Sequence, residues 1–279
     1  MSRPAGQVMR EGSARLAEAG TASPMAEART LLSHVLHREP RDLVLATVDD
    51  DQVAAFSALL DSRVAGIPVQ HLTGEAWFRT VRLEVGPGVF VPRPETEVMV
   101  GWGLQRIAAV EAPVVVELCA GSGAISRAIA AEHLGARQFA IELDPAAHQW
   151  ASRNLADTDV QLVLGDMADA FPELDGGVDL VIANPPYIPL EAWESVAPDV
   201  RDHDPALALW SGDDGLDATR VVAAVARRLL RPGGWVCSEH AEVQEHSAPE
   251  VFVREGDFDQ VRDQPDLAGR PRFVTARRR

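Results

Sequence analysis

The first seventy residues show the apolar spacing of helices. Ala, Leu, Val and Met recur every three or four positions, and this period of one helix face predicts helices over residues 8–19, 25–36 and 53–64. Ser23 and Pro24 mark a helix start, because proline fits the first turn of a helix. Three short helices bury little apolar surface by themselves, so the pattern indicates either a small bundle or a recognition module that packs on the more C-terminal part of the chain.

From residue 66 to residue 94 the pattern becomes that of strands. The run VRLEV at residues 81–85 alternates apolar and charged side chains, as a half-buried strand does. Glycines and prolines then break the chain around another short strand. This stretch predicts a hairpin-like linker that leads into a second domain.

After residue 111 short apolar runs alternate with helical segments. The predicted strands are 113–118, 139–142, 160–164, 178–183, 235–238 and two more between 258 and 276. The predicted helices are 124–133, 145–155 and 216–230. Alternation of this kind predicts an α/β fold with a doubly wound, mostly parallel sheet and helices on both faces.

Composition and charge narrow the classes of function. The chain has 279 residues, 26 basic and 42 acidic side chains, and a formal net charge of -16. Every basic residue is arginine, which excludes lysine chemistry such as a Schiff base. Residues 91–269 alone carry a net charge of -19, which argues against a protein that holds nucleic acid by broad phosphate neutralisation.

Cysteine usage and hydropathy favour a reduced, cytoplasmic protein. Cys119 and Cys237 are too few for a disulfide framework, and no Cys/His cluster indicates a metal site. The first twenty residues lack the continuous apolar core of a secretion signal, and no stretch approaches the roughly 18 apolar residues that span a membrane.

The loops after the predicted strands hold the candidate chemistry, because ligands of open α/β sheets bind at the carboxyl ends of strands. The first of these loops contains two glycines, which let backbone approach a ligand closely. Its residues are Cys119, Ala120, Gly121, Ser122 and Gly123. The dinucleotide pattern GxGxxG is absent, since Ser126 stands at the third glycine position. A plain strand-to-helix turn explains the glycines alone about equally well.

The next two predicted strands end in acidic residues. Glu142 follows the glycine turn by about twenty residues, where a carboxylate accepts the two hydroxyl hydrogens of a ribose. Asp166 is placed to accept from an adenine amino group, and Met167 to flank the adenine ring. Three such strand ends predict an adenosine-type cofactor, and the missing third glycine favours S-adenosylmethionine over NAD.

The fourth predicted strand runs directly into Asn184, Pro185, Pro186 and Tyr187. Two prolines cannot continue a sheet ladder, so the backbone stops there in a rigid conformation. A plain turn is the alternative, because Asn-Pro often opens turns. Tyr187 is, however, the only tyrosine of the chain.

This segment suits the methylation of a planar nitrogen, which is an in-line displacement that needs an aligned acceptor. The Asn184 side-chain oxygen and the Pro185 carbonyl can accept the two N–H bonds of an amide or exocyclic amine. The Tyr187 ring can cover the planar group. A strong general base is not required, because the nitrogen becomes acidic once it is positively charged.

With these residues in hand, the sequence resembles the HemK family of peptide chain release factor N5-glutamine methyltransferases over most of its length. The matching runs are PVQHLTGE (68–75), VPRPETE (91–97), GSGAI (121–125), NPPYI (184–188), GDDGL (212–216), LRPGG (230–234) and DLAGRPR (266–272). N6-adenine methyltransferases share the NPPY run. The RPETE run is more specific and separates the family from relatives that act on a ribosomal protein.

The resemblance implies a helical N-terminal substrate-recognition domain over residues 1–72, a β-hairpin linker over 73–92 and a Rossmann-like class I methyltransferase domain over 93–279. It implies methylation of the glutamine in the GGQ motif of class I release factors. S-adenosyl-L-methionine would meet residues 119–123, Glu142, Met167 and Asn184, and the substrate glutamine would meet residues 184–187. Cys119 stands where the family usually has glycine, and Glu142 replaces the commoner aspartate.

Three other interpretations remain open from the residues alone. They are an N6-adenine nucleic-acid methyltransferase, a ribosomal-protein glutamine methyltransferase with the same NPPY site, and a Rossmann-like binding module or nucleotide-dependent oxidoreductase. The acidic charge of residues 91–269 disfavours the first of these. We expect a monomer with release factors as protein partners, no stable binding of nucleic acid and no membrane association.

Overall fold

The computed structural model describes residues 2–195, 201 and 204–279. Within residues 2–195 the chain divides into two units, and the boundary falls between Glu75 and Ala76. Each unit has its own buried core. No helix in the described part of the chain is long and apolar enough to cross a membrane.

The first unit contains the three helices expected from the apolar spacing. Its elements are β1 (Arg3–Pro4), α1 (Ala5–Glu18), α2 (Pro24–Leu36), a 3-10 turn (Pro40–Leu45), β2 (Thr47–Val48), α3 (Asp50–Val64) and α4 (Val69–Thr73). Asp49 and Gln52 form a reciprocal capping box that starts α3. The helices bury Leu16, Leu31 and Phe56 between them.

A two-stranded sheet and a helix precede the large sheet of the second unit. The strands are β3 (Glu75–Phe78) and β4 (Val81–Glu84), and the helix is α5 (Pro94–Ile107). Helix α5 was not predicted from the sequence. The sequence does contain a helix-start signal here. Pro94 occupies the first turn, and the acidic Glu95 and Glu97 interact favourably with the positive end of the helix dipole.

The second unit is built on a seven-stranded sheet in the order β10-β11-β9-β8-β5-β6-β7. Its strands are β5 (Val114–Leu118), β6 (Arg137–Glu142), β7 (Gln161–Leu164), β8 (Val178–Ala183), β9 (Leu230–Glu239), β10 (Phe258–Pro265) and β11 (Pro271–Arg278). The pairings from β7 to β9 are parallel, whereas β11 pairs antiparallel with both β9 and β10. The prediction of a doubly wound, mostly parallel sheet is confirmed.

Among the described residues, five helices belong to the crossovers and loops of this sheet. They are α6 (Ala124–Glu132), α7 (Pro145–Asn154), α8 (Ala206–Leu209), α9 (Asp217–Leu229) and α10 (Ser247–Glu255). Apolar clusters cover both faces of the sheet, with Val116 and Leu118 in one cluster and Val115 in the other. This arrangement explains the continuous apolar run of β5.

Two expectations differ from the structure. Residues 86–93 form no strand, and β4 pairs with β3 instead. We expected a helix to residue 230 and a strand from residue 235, whereas β9 already begins at Leu230. Leu230 pairs with Val178, and the register then shifts before Leu180 pairs with Trp235. Pro232 has no N–H for a ladder, and this irregular stretch accommodates it within the strand.

Candidate active site

The sheet brings all four predicted loops to one edge. Leu118 at the end of β5 pairs with Ala183 at the end of β8, so the glycine turn and the NPPY segment begin side by side. On the other flank of β5, Leu118 pairs with Ile141, and Glu142 pairs with Leu164. The strand order reverses at β5. Open α/β sheets bind ligands in the crevice at the carboxyl ends of the strands next to such a reversal.

The glycine turn is held tightly to β6. The Ala120 N–H donates to the Ile141 carbonyl at 3.0 Å, and the Gly121 N–H donates to the Glu142 carboxylate at 2.7 Å. Gly121 has a φ of 55°, and an added Cβ there would meet no atom within 4 Å. The backbone of the turn therefore faces open space, which a ligand can approach closely.

The Glu142 carboxylate is oriented by two backbone N–H groups. Its two carboxylate oxygens accept from the N–H groups of Gly121 and Asp144, at 2.7 and 2.8 Å. Burial raises the pKa of this carboxyl above its usual value. Each carboxylate oxygen has more than one acceptor site, so the side chain can still accept two hydroxyl hydrogens of a ribose.

Asp166 and Met167 follow β7 as predicted. Asp166 is exposed, and one of its oxygens accepts from the Ala168 N–H at 2.9 Å, which caps a short 3-10 turn. The Met167 sulfur is half-buried and lies 3.5 Å from the Cys119 sulfur. The open glycine turn, the oriented acid of Glu142 and this half-buried apolar side chain fit an adenosine-bearing cofactor.

The NPPY segment is tied to two residues from distant parts of the chain. The Asn184 amide nitrogen donates to the Thr96 hydroxyl at 3.3 Å, and Thr96 donates to the Glu239 carboxylate at 2.6 Å. The Tyr187 hydroxyl donates to the other oxygen of Glu239 at 3.3 Å. Burial, followed by the charge of Glu239, raises the pKa of the Tyr187 phenol, so this group stays neutral.

The main chain of Tyr187 is also fixed. Its carbonyl accepts from the Gln244 side-chain amide at 3.0 Å, and the same amide donates to the Asp214 carbonyl at 3.2 Å. Gly215 has a φ of 75°, and an added Cβ would lie 2.4 Å from the Tyr187 carbonyl oxygen. The GDDGL and NPPY runs therefore pack backbone against backbone.

Comparison with known proteins gives the family to which the chain is similar. Residues 7–74 match the family model described as PrmC N-terminal domain, and residues 115–203 match the model described as methyltransferase domain. The chain is 49% identical to the release factor glutamine methyltransferase of Streptomyces coelicolor, over 95% of this chain and 94% of that protein. The chain belongs to the HemK/PrmC methyltransferase family.

Two further relatives and one solved structure are also similar to this chain. The Corynebacterium glutamicum release factor glutamine methyltransferase is 39% identical over 98% of both chains. A 4-amino-L-phenylalanine/4-methylamino-L-phenylalanine methyltransferase of Streptomyces pristinaespiralis is also 39% identical, over 93% of this chain and 90% of that protein. The catalytic domain of hMettl16 has a TM-score of 0.56 at 15% identity, over 70% of this chain and 75% of that one, and this likeness shows the fold.

Cys119 stands where the resemblance to the HemK family predicts glycine. Its φ is 61°, which lies in the left-handed region that favours glycine. Burial, followed by the neighbouring charge of Glu142, raises the pKa of the thiol far above its ordinary value. A neutral thiol is a poor nucleophile, so the structure gives Cys119 a packing role.

Asn154, which bonds to the glycine turn at the Ser122 carbonyl, was not predicted from the sequence. Its amide nitrogen donates to the carbonyls of Ser122 and Glu84, both at 2.9 Å, and its oxygen accepts from the Glu84 N–H at 2.8 Å. A signal existed, because Asn154 and Asn184 are the only two asparagines of the chain. Both lie at this site.

Glu117, Thr96 and Glu239 were not predicted either. Glu117 is buried under the glycine turn and accepts from the Ser126 N–H at 2.9 Å and from the Ser126 hydroxyl, and burial raises its pKa to about 8. Glu239 is an acid at the end of a buried strand, so the criterion that selected Glu142 would have selected it too. Thr96 lies in the RPETE run that indicated the family.

Proposed function

We propose that this protein transfers a methyl group from S-adenosylmethionine to the side-chain amide nitrogen of the glutamine in the GGQ motif of class I release factors. The observation that carries the proposal is the pairing of Leu118 with Ala183, which starts the glycine turn and the NPPY segment side by side. Identities of 39–49% with release factor glutamine methyltransferases over most of the chain support the same function.

The cofactor side of the site consists of residues 119–123, Glu142, Asp166 and Met167. S-adenosylmethionine, when bound, supplies an electrophilic methyl group on sulfur. Glu142 would hold the ribose hydroxyls, the glycine turn would let the cofactor approach the backbone, and Met167 would pack against the adenine.

The acceptor side consists of Asn184, Pro185, Pro186 and Tyr187. The Asn184 side-chain oxygen and the Pro185 carbonyl accept the two N–H bonds of the glutamine amide, which turns the nitrogen lone pair toward the methyl group. Tyr187 covers the planar amide with its ring. The methylated nitrogen then releases a proton to water, so none of these residues acts as a strong base.

Charge favours a protein acceptor over a nucleic acid. The NPPY segment lies within residues 91–269, which carry a net charge of -19. Broad contact with phosphates needs a basic surface instead. The match to residues 7–74 supports a recognition role for the helical unit toward the release factor. We propose that the enzyme acts as a cytoplasmic monomer on this protein partner.

The test measures label transfer from methyl-labelled S-adenosylmethionine to a purified class I release factor. We expect labelling of the natural factor and none of a variant whose GGQ glutamine is alanine. The Asn184→Ala enzyme should lose on the order of a hundredfold in kcat while keeping its melting temperature, because it lacks a positioned acceptor. Equal labelling of the two release factors would reject the proposed acceptor.

The relative named for 4-amino-L-phenylalanine defines the second acceptor to test, since an aryl amine is also a planar nitrogen. Under the proposal, this amino acid is methylated far more slowly than the release factor. A preference for the free amino acid would replace glutamine with an aromatic amine as the substrate.

A further inference from the structure

Three side chains from distant segments meet behind the NPPY segment. Thr96 lies in the first turn of α5, Asn184 follows β8, and Glu239 ends β9. Thr96 and Glu239 are buried, with 4% and 2% exposure. They form a chain of hydrogen bonds in which Asn184 donates to Thr96 at 3.3 Å and Thr96 donates to Glu239 at 2.6 Å.

The direction of each bond follows from the chemistry of the groups. An ionised carboxylate only accepts hydrogen bonds, so the single hydrogen of the Thr96 hydroxyl points to Glu239. The Thr96 oxygen then acts as an acceptor toward Asn184, which must turn its NH2 group to it. The Asn184 oxygen is thereby left to face the other way.

This direction matters because the two ends of an amide have nearly the same size and shape. Packing alone distinguishes them poorly, whereas an acceptor at one end selects the NH2 group. Only the oxygen end of Asn184 can accept an N–H from the acceptor substrate. The same carboxylate also accepts from the Tyr187 hydroxyl at 3.3 Å, which orients the ring proposed to cover the substrate amide.

We propose that Thr96 and Glu239 are positioning residues that fix the amide orientation of Asn184, and so restrict the site to acceptor groups that bring N–H donors. This inference rests on the proposed function and deepens it. Primary amides and amines meet the requirement. Groups that present only acceptor atoms, such as esters and tertiary amides, do not.

The charge state of Glu239 sets the conditions of the test. The pKa of Glu239 is raised to about 7, chiefly by burial and to a smaller extent by the charge of Glu95. The bonds from Thr96 and Tyr187 and the charge of Arg272 lower it. Assays at about pH 8 therefore keep most of the carboxyl ionised, with its two oxygens accepting.

The first experiment compares Thr96→Val with Thr96→Ser in steady-state methylation of a release factor. Valine keeps the shape and removes the hydroxyl, so kcat should fall on the order of ten- to a hundredfold while the KM for S-adenosylmethionine stays near the natural value. Serine restores the hydroxyl and should bring kcat back to within a few-fold. Thr80→Val on the exposed turn is the matched control.

A second measurement does not depend on any substrate. Tyr187 is the only tyrosine, so protein labelled with ¹³C at the tyrosine ζ carbon gives one NMR signal. Glu239→Gln puts an NH2 donor in place of one of the two oxygens that accept from Thr96 and Tyr187, so this signal should shift in the free enzyme. The signal should stay in place in the Thr80→Val control.

The outcomes separate the inference from the proposed function. Natural kcat in Thr96→Val, or a loss that Thr96→Ser does not recover, overturns the positioning role even when the release factor is methylated. If the natural enzyme fails to methylate any release factor, the proposed function falls. In that case an unshifted Tyr187 signal in Glu239→Gln overturns the hydrogen-bond network itself.

Discussion

Cys119 adopts a left-handed backbone at the point where the cofactor loop begins. This conformation costs about 1–2 kcal/mol for a residue with a Cβ, whereas glycine adopts it freely. The left-handed φ therefore makes the cysteine a residue that the fold tolerates rather than one that the backbone favours. Its sulfur packs 3.5 Å from Met167, which offers partial compensation.

We predict that Cys119→Gly is more stable to urea than Cys119→Ala by about 1 kcal/mol. Both variants lack the sulfur, so the comparison isolates the backbone conformation. Equilibrium unfolding measures the difference. An alanine variant as stable as the glycine variant would show that the loop relaxes out of the left-handed region.

Glu117 makes stability depend on pH. Its pKa in the folded protein, about 8, lies above the unfolded value near 4.5, so the folded state holds the proton more tightly. The contribution of Glu117 to the free energy of unfolding is complete below its unfolded-state pKa, and it is lost as the pH rises toward 8. Raising the pH from about 6 to about 8.5 should therefore destabilise the natural protein relative to Glu117→Gln, on the order of 2 kcal/mol.

Urea unfolding of both proteins across this pH range checks the sign. Glu239 has a raised pKa in both proteins, so its effect cancels in the difference. A constant gap between the two proteins would mean that Glu117 does not titrate in this window.

At the residue scale, the sequence predicted that Glu142 and Asn184 lie at the same end of the sheet and missed the residues that bond to Asn184. Glu142 ends a recognisable strand, and Asn184 directly follows one. Thr96 and Glu239 are 143 positions apart, and their contact exists only once α5 packs against the end of β9. Partners of this kind are set by the tertiary fold.

At the scale of elements, Asn154 at the end of α7 connects the glycine turn to β4 through hydrogen bonds to Ser122 and Glu84. Asn154→Ala leaves three backbone groups without their partner, and the loss at the buried Ser122 carbonyl costs about 1–3 kcal/mol. We expect lower stability and at least a several-fold weaker affinity for S-adenosylmethionine, measured by calorimetry. Ser152→Ala, on the exposed side of the same helix, serves as the control.

An Asn154→Ala enzyme with natural cofactor affinity would show that the glycine turn keeps its shape without this clip. The turn would then depend on the bonds from Ala120 and Gly121 to β6 alone.

Most periodic elements were predicted, and helix α5 is the exception, because it buries Met99, Val100 and Ile107 on one face. Helices α1, α2 and α3 and strands β5 to β8 match expectation within a few residues. Helix α5 was missed because its first turn coincides with the RPETE run, which was interpreted as a family motif, although Pro94 is also a helix-start signal. The early start of β9 depends on pairing with Val178, which no local pattern reveals.

At the scale of the whole molecule, the strand–helix alternation predicted the parallel part of the sheet. The position of β11 was not predictable, because it inserts antiparallel between β9 and β10 through contacts distant in sequence. The division of the chain at residues 72 and 92 remains a prediction, beside the observed boundary between Glu75 and Ala76.

The net charge of -16 leads to a prediction for the whole protein. Bare duplex DNA or RNA added at constant ionic strength should leave the rate of release factor methylation unchanged, because the acidic surface disfavours phosphate contact. Initial rates with and without the nucleic acid check this. Strong inhibition, or methylation of the added nucleic acid, would favour the adenine alternative.

The most direct measurement is mass spectrometry of the peptide that contains the GGQ motif, after incubation of a class I release factor with this enzyme and S-adenosylmethionine. We predict one added methyl group on the glutamine side chain, with little in the Asn184→Ala reaction and none without the cofactor. An unmodified glutamine, or a methyl group located on another residue, would contradict the proposed function.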